Sequence, residues 1–323
     1  MNETMIQTRT IKISFVEAGR GPLVLLCHGF PETKFAWRHQ IKALAEAEYR
    51  AIALDMRGYG KSEAPDQTDQ YTVIHAVADL VALLDALGED QAFLVGHDWG
   101  ATVAWQAATI RPDRFRAVAA LSVPMMGLAP VPPSEIFPQD AESIFYSLYF
   151  QDPQGAEEEF SRDIALTLRK LIFAASGEAG ARQPGDRTPN PFGMVRRSTG
   201  LLPELPLPRT LPEWLPPEEF ERLVSAFASS GFTGGLNYYR NLDRNWQLQQ
   251  AYAGLTVKVP ALFMIGDRDT GLAIPGMDQT IADMPQLVPH LNGTQVLPNA
   301  GHWLQQERPN EVSRLLVDFI RQL

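Results

Sequence analysis

Val95-Gly96-His97-Asp98-Trp99-Gly100-Ala101 decides how this chain is read: an apolar strand runs into a Gly-x-Asp-x-Gly turn, and a helical pattern follows from Ala101 to Ile110. That is a nucleophile elbow with aspartate at its apex. The flanking glycines let the chain turn sharply. The side chain between them projects from the sheet edge near a helix N-terminus, where negative charge is favoured. A plainer alternative is that Asp98 only caps the helix, since aspartate is a good N-cap residue.

Outward from the elbow, the first 123 residues alternate short β-branched runs with longer helical patterns, which predicts a mostly parallel sheet flanked by helices. Strands are expected at 12–16, 23–27, 50–54, 92–95 and 117–123. The clearest helix is 72–87, where Val73, Val77, Leu80, Val81, Leu84 and Leu87 make one apolar stripe and Gly88 supplies the stop. After Pro124 the pattern changes. Pro130, Pro132, Pro133 and Pro138 break the chain, and helical segments follow with no strand expected until about Lys258. Within them Pro184, Pro189, Pro191, Pro203, Pro206, Pro208, Pro212, Pro216 and Pro217 punctuate a long stretch unsuited to regular helix or central strand. After Pro260 the alternation returns, with strands at 261–265 and 294–297 and a closing amphipathic helix at 310–323. The expectation is an α/β core, residues 1–128 and 258–323, interrupted by a helical cap at 129–257, with no internal repeat.

Composition narrows the function. The chain has 323 residues, 45% hydrophobic and 20% charged, too apolar for a disordered protein. Its 28 Lys and Arg against 38 Asp and Glu give a net charge of −10, which disfavours nucleic acid and anionic membrane surfaces as partners. The longest apolar runs, 23–27 and 117–121, are far short of the roughly 20 residues needed to span a bilayer. Met1-Asn2-Glu3-Thr4-Met5 shows neither a basic start nor an apolar segment, so no secretory signal is expected and the cytoplasm is the default compartment. Cys27, the single cysteine, lies in an apolar run and reads as a buried, inert thiol.

An aspartate at the elbow changes the reaction. A carboxylate is already ionised at neutral pH and can displace a leaving group from a saturated carbon. The product is an ester whose carbonyl carbon belongs to the enzyme, so water must be brought to Asp98 itself, and that water needs a general base. Partners follow in the chain order the elbow predicts. Gly266-Asp267-Arg268-Asp269 ends one strand, and either aspartate can serve as the orienting acid; Asn299-Ala300-Gly301-His302-Trp303 ends the last strand and supplies the base. His97 reads as structural, its side chain pointing away from that of Asp98. Upstream, His28-Gly29-Phe30-Pro31-Glu32 follows a strand, and the N–H groups of Phe30 and Trp99 are candidate oxyanion donors, with His28 and Pro31 shaping the loop. Residues 55–62 match a phosphate loop only loosely and read as scaffold.

Together HGFPE at 28–32, DMRGYGKS at 55–62, GHDWGA at 96–101, GDRD at 266–269 and GHW at 301–303 resemble the α/β-hydrolase fold family, most closely its soluble epoxide hydrolases, over nearly the whole chain. The resemblance implies Asp98 as nucleophile, His302 as water-activating base and Asp269 as its orienting acid. It also implies two cap tyrosines as ring-opening acids, Tyr146 and Tyr239. Chemistry supplies their purpose, because an opened epoxide leaves an alkoxide far more basic than a phenolate. Tyr149 and Tyr238 are read as packing residues. Phe30, Trp37, Trp99 and Trp303 would wall an apolar pocket for an uncharged organic substrate, although core packing accounts for Trp37 and Trp303 equally well.

The expected activity is therefore hydrolysis of an epoxide to a vicinal diol through an ester on Asp98. Substrate and water are the partners, and a homodimer is compatible with the sequence. No HExxH, CxxC pair or acidic calcium loop is present in the sequence, and neither metal nor organic cofactor is expected. A haloalkane or haloacid dehalogenase is the nearest rival, and Phe30 with the two tyrosines favours the epoxide. The chain has no GxSxG elbow for a serine esterase. A silent binding protein on the same fold is the remote alternative.

Overall fold

The run Leu23–Cys27 is buried along its whole length, with Leu23, Leu25 and Cys27 facing one core and Val24 and Leu26 the other. A strand with two buried faces belongs in the middle of a sheet covered on both sides. The computed structural model, which describes residues 2–180 and 190–323, places it there. Pro184 and Pro189 lie outside the described residues, as does Met1.

The strands are β1 (Asn2–Gln7), β2 (Lys12–Ala18), β3 (Leu23–Cys27), β4 (Arg50–Leu54), β5 (Ala92–His97), β6 (Phe115–Leu121), β7 (Ser143–Phe145), β8 (Met194–Arg196), β9 (Ala261–Gly266) and β10 (Leu291–Leu297). Eight form one sheet in the order β1-β2-β4-β3-β5-β6-β9-β10. β2 is antiparallel to both of its neighbours, and the remaining pairs are parallel. From β3 the chain steps outward to β4, then returns to β5 on the other side. The loops after β3 and β5 thus part company at a topological switch point, where open α/β sheets form their ligand crevice.

Helices Arg38–Glu46 and Pro309–Arg321 cover one face with Ile41, Leu44, Val312, Leu316 and Phe319. Helices Val73–Leu87 and Trp99–Ile110 cover the other. The first of these starts where the Thr72 hydroxyl accepts the His75 N–H at 3.3 Å and stops at Gly88, whose φ of 70° is left-handed. Among the described residues no helix is long and apolar enough to cross a membrane.

Between β6 and β9 lie helices Ile164–Ala175, Pro217–Ser230, Thr233–Arg240 and Leu242–Gln249. Their buried side chains, among them Leu168, Leu236 and Tyr238, join the same apolar cluster as the second sheet face. The contact is close: a Cβ on Gly234 would lie 2.2 Å from the Gly58 carbonyl oxygen, so only glycine lets the helix approach the loop after β4. This segment is not free of strands, as the sequence had suggested, because β7 and β8 pair antiparallel within it. Each has only three residues, too few to leave a periodic signal. β1 was also unexpected; its polar sequence has no apolar alternation, since it forms the outer edge of the sheet beside β2.

Candidate active site

Asp98 sits between β5 and helix Trp99–Ile110 with φ 52° and ψ −120°, a conformation that costs a non-glycine residue about 1–3 kcal/mol. Close packing of backbone enforces it. A Cβ on Gly96 would stand 2.1 Å from the Gly100 carbonyl oxygen, and one on Gly100 2.2 Å from that of Cys27. Gly29 likewise has no room for a side chain, because its would-be Cβ lies 2.3 Å from the Asp98 carboxylate. The loop after β3 therefore runs directly against the apex, and the Phe30 N–H donates to Asp98 Oδ1 at 2.8 Å. The Phe30–Pro31 peptide is cis.

His302 faces Asp98 from the loop after β10. Its Nε2 is 3.5 Å from Asp98 Oδ2, and its Nδ1 is 3.2 Å from each oxygen of Asp269. Of the two acids left open after β9, Asp269 is the buried one and Asp267 is exposed. Asp269 also accepts the Gly271 N–H at 2.8 Å, which fixes it against the imidazole. Burial opposes charge on His302, but Asp269 and Asp98 overcome it and raise its pKa to about 10. Burial also opposes ionisation of Asp98. The neighbouring His302 and His97 and the Phe30 N–H outweigh it, holding Asp98 below the usual carboxylate range.

Behind this row lies support of which the motifs disclosed only the structural role of His97. His97 Nε2 is 2.8 Å from the His302 carbonyl oxygen and its Nδ1 is 2.7 Å from Glu32 Oε2, so the ring points away from Asp98 and both nitrogens face acceptors. Glu32 is buried, yet His97 keeps its pKa below normal. The Ser122 hydroxyl donates to the same His302 carbonyl at 2.8 Å. Phe192 packs edge-on against the His302 ring with centroids 4.7 Å apart. Glu32 belonged to a quoted motif, but Ser122 and Phe192 left no signal, because a single serine at a strand end and a phenylalanine among prolines are ordinary.

A cavity of about 340 Å³ opens onto these residues, and Asp98, His302, Asp269, Trp99, Tyr146 and Tyr239 all contribute to its lining. The two tyrosine rings lie 6.1 Å apart, and Tyr239 stands perpendicular to Trp99 at 5.1 Å. Burial, aided by the Asp98 charge, pushes both phenols well above their ordinary pKa, so each presents a protonated hydroxyl. Tyr238 is in the core, its hydroxyl donating to the Arg57 carbonyl at 3.3 Å, and Tyr149 donates to Glu159 at 2.9 Å. Most of the remaining wall is apolar, with Met125, Ile136, Phe137, Leu242 and Ile274.

Three of the four aromatics expected in the pocket wall are elsewhere. Trp37 is fully buried among Val24, Leu26 and Ile41 under the opposite sheet face. Trp303 is 1% exposed, and its indole N–H donates to the Ile172 carbonyl at 2.8 Å. The Phe30 ring packs against Phe150, Phe160, Phe232 and Tyr239 beneath the cavity. Only the outward side of a strand-end loop reaches the cavity, and composition does not say which side a ring takes. Residues 55–62 hold the frame together: Asp55 binds Lys34 and Arg57 pairs with buried Asp79. Among the described residues no group of three His, Cys, Asp or Glu side chains is placed to hold a metal ion.

A strained acidic elbow, a carboxylate-backed histidine and a mostly parallel sheet define an α/β hydrolase. Residues 22–309 match the family model for the alpha/beta hydrolase fold. The chain is 42% identical to epoxide hydrolase A of Mycobacterium tuberculosis, over 98% of this chain and 97% of that one. Among solved structures it superposes with a TM-score of 0.92 on an epoxide hydrolase from an endophytic Streptomyces, at 40% identity, covering 99% of this chain and 95% of that one. Epoxide hydrolase A from Mycobacterium thermoresistibile gives a TM-score of 0.90 at 40% identity, covering 99% and 98%. The chain belongs to the α/β-hydrolase fold family, among its epoxide hydrolases.

Proposed function

We propose that the protein hydrolyses uncharged, largely apolar epoxides to vicinal diols through a covalent ester on Asp98. One observation carries this: a carboxylate, a carboxylate-backed histidine and two protonated tyrosines line the same apolar cavity. Residues 129–257 act as its cap, supplying Tyr146, Phe192 and Tyr239 to the lining.

Of the two Asp98 oxygens, Oδ1 is engaged by the Phe30 N–H, which leaves Oδ2 to attack. Oδ2 bonds to a ring carbon and the ring C–O bond breaks. The freed electron pair stays on the ring oxygen, which takes a proton from Tyr146 or Tyr239. His302, cationic in the resting site, returns that proton to the phenolate through solvent. Loss of the Asp98 charge favours this, because one of the two carboxylates that raise the imidazole pKa has been neutralised, although the larger influence, Asp269, remains. Neutral His302 then takes a proton from water as the water oxygen attacks the ester carbonyl carbon. Negative charge forms on Oδ1, where Phe30 N–H and, in this proposal, Trp99 N–H stabilise it. Collapse breaks the bond from that carbon to Oδ2, so Oδ2 leaves in the diol and the water oxygen stays in Asp98. The carboxyl proton passes to the departing alkoxide, restoring Asp98 as carboxylate and His302 as imidazolium.

Purified protein offered styrene oxide and, separately, a 1-haloalkane should form diol and release no halide. A single turnover in ¹⁸O-water should then label Asp98 and not the diol. Halide release without diol, or label in the first diol formed, overturns the proposal. A homodimer, with which the sequence is compatible, is tested by sedimentation.

A further inference from the structure

Two buried polar atoms of the cavity's lining residues have no hydrogen-bond partner among the described residues: His302 Nε2 and Gln106 Oε1. The first belongs to the reaction. The second has no place in it: this carbonyl oxygen is closed off from the cavity while the residue borders it, and turning the Gln106 amide over would bring the costly, donorless oxygen to the cavity.

Gln106 is 6% exposed and lies on helix Trp99–Ile110. With Trp99 and Thr102 it forms an i, i+3, i+7 row along the helix face that lines the cavity. At about 1.5 Å per residue, its backbone is about 10 Å along the helix from the nucleophile's end. Three other polar groups of the lining are engaged in holding the walls. The Trp105 indole donates to the Val123 carbonyl at 3.0 Å, that of Trp246 to the Ala129 carbonyl at 2.8 Å, and Asn245 Oδ1 accepts the Val73 N–H at 2.9 Å. Between the two ends the wall is mostly apolar, and Thr102 supplies the one hydroxyl of the row.

We propose that Gln106 is a specificity-determining residue that recognises a hydroxyl carried on an apolar chain up to about 10 Å from the epoxide. A primary amide suits a hydroxyl in either sense, since its oxygen accepts and its nitrogen donates. A hydroxyl entering this cavity loses water, and Gln106 replaces what it loses. A methyl group in the same place gives the Gln106 amide no partner. The inference rests on the epoxide-hydrolase reading and names its substrate class as epoxides with a distal hydroxyl.

The test is a homologous series of terminal epoxides ending in hydroxyl, each matched with its methyl-ended counterpart. At about 1.2 Å per bond of an extended chain, the reach corresponds to roughly eight bonds. The ratio of kcat/KM for hydroxyl over methyl should peak at or below that length. In Gln106→Leu and in Gln106→Met the peak should fall about tenfold, and a native circular dichroism spectrum and melting curve show that the variants fold. A ratio that is flat with length in the unsubstituted enzyme overturns the inference alone, as does a peak that survives in both variants. Turnover of neither series overturns the epoxide-hydrolase reading, and this inference falls with it.

Discussion

Asp55 and Asp98 both follow parallel strands of one sheet and both are almost wholly buried, at 1% and 8% exposure, yet one is scaffold and the other is poised to react. Their partners make the difference. Asp55 Oδ1 accepts the Lys34 N–H at 3.0 Å, while Oδ2 takes the Lys61 N–H at 3.1 Å and the Lys34 ammonium. Both oxygens are committed. Asp98 has one oxygen held by Phe30, and the other faces His302 across 3.5 Å at the edge of the cavity. Burial alone does not make a carboxylate reactive; an uncommitted oxygen beside open space does.

The comparison is broken most directly at Asp98. Asp98→Ala should reduce turnover to about 10⁻⁴ of the native rate or lower, because in the proposed reaction the residue forms the bond, while leaving the melting temperature within a few degrees. A variant that retains appreciable diol formation would place the nucleophile elsewhere. His302→Gln should be nearly as damaging in steady state but for a different reason. The first half-reaction proceeds and the ester then persists, visible by mass spectrometry as substrate mass added to the peptide bearing Asp98. Free diol released at the native rate would remove His302 from the role of base.

Lys34→Met carries the same question to the other aspartate. Lys34 is 2% exposed and also donates to Ser14 Oγ at 3.0 Å, so its loss leaves the Asp55 charge buried without a counter-charge. Breaking such a pair costs about 3–5 kcal/mol of folding stability. Urea unfolding should show that loss, while kcat of the folded fraction stays within a few-fold of native. If instead stability holds and turnover collapses, Asp55 belongs to the reaction and the contrast fails.

Sequence periodicity located the sheet's interior because strands such as Leu23–Cys27 bury both faces and read as continuous apolar runs. It missed β1, which forms an exposed edge, and β7 with β8, which are too short. The elbow was legible for a similar reason, since Gly96 and Gly100 are demanded by backbone contacts that leave no room for a Cβ. Side-chain direction was legible for His97, beside the nucleophile, but not for the tryptophans. Trp303 and His302 are adjacent, yet one ring enters the core against Ile172 and the other faces the cavity. Gln106 stayed hidden because a glutamine on a helix is ordinary until its missing partner is seen.

Tyr146 and Tyr239 sharpen the comparison at its finest grain, because they occupy the open space that Asp55 lacks. Tyr239 is buried and Tyr146 half-buried, both phenols are held protonated, and both rings border the cavity beside Asp98. A ring oxygen has two lone pairs, so one donor can cover in part for the other. Tyr146→Phe and Tyr239→Phe should therefore each slow ring opening about tenfold, whereas the double variant should lose the full contribution of acid catalysis, about 10²–10⁴. The loss must appear in the rate of ester formation, measured by rapid quench, and not in ester hydrolysis. A double variant no slower than either single would mean that only one phenol reaches the oxygen. A double variant at the native rate would return both rings to packing and leave the reactivity of Asp98 resting on His302 alone.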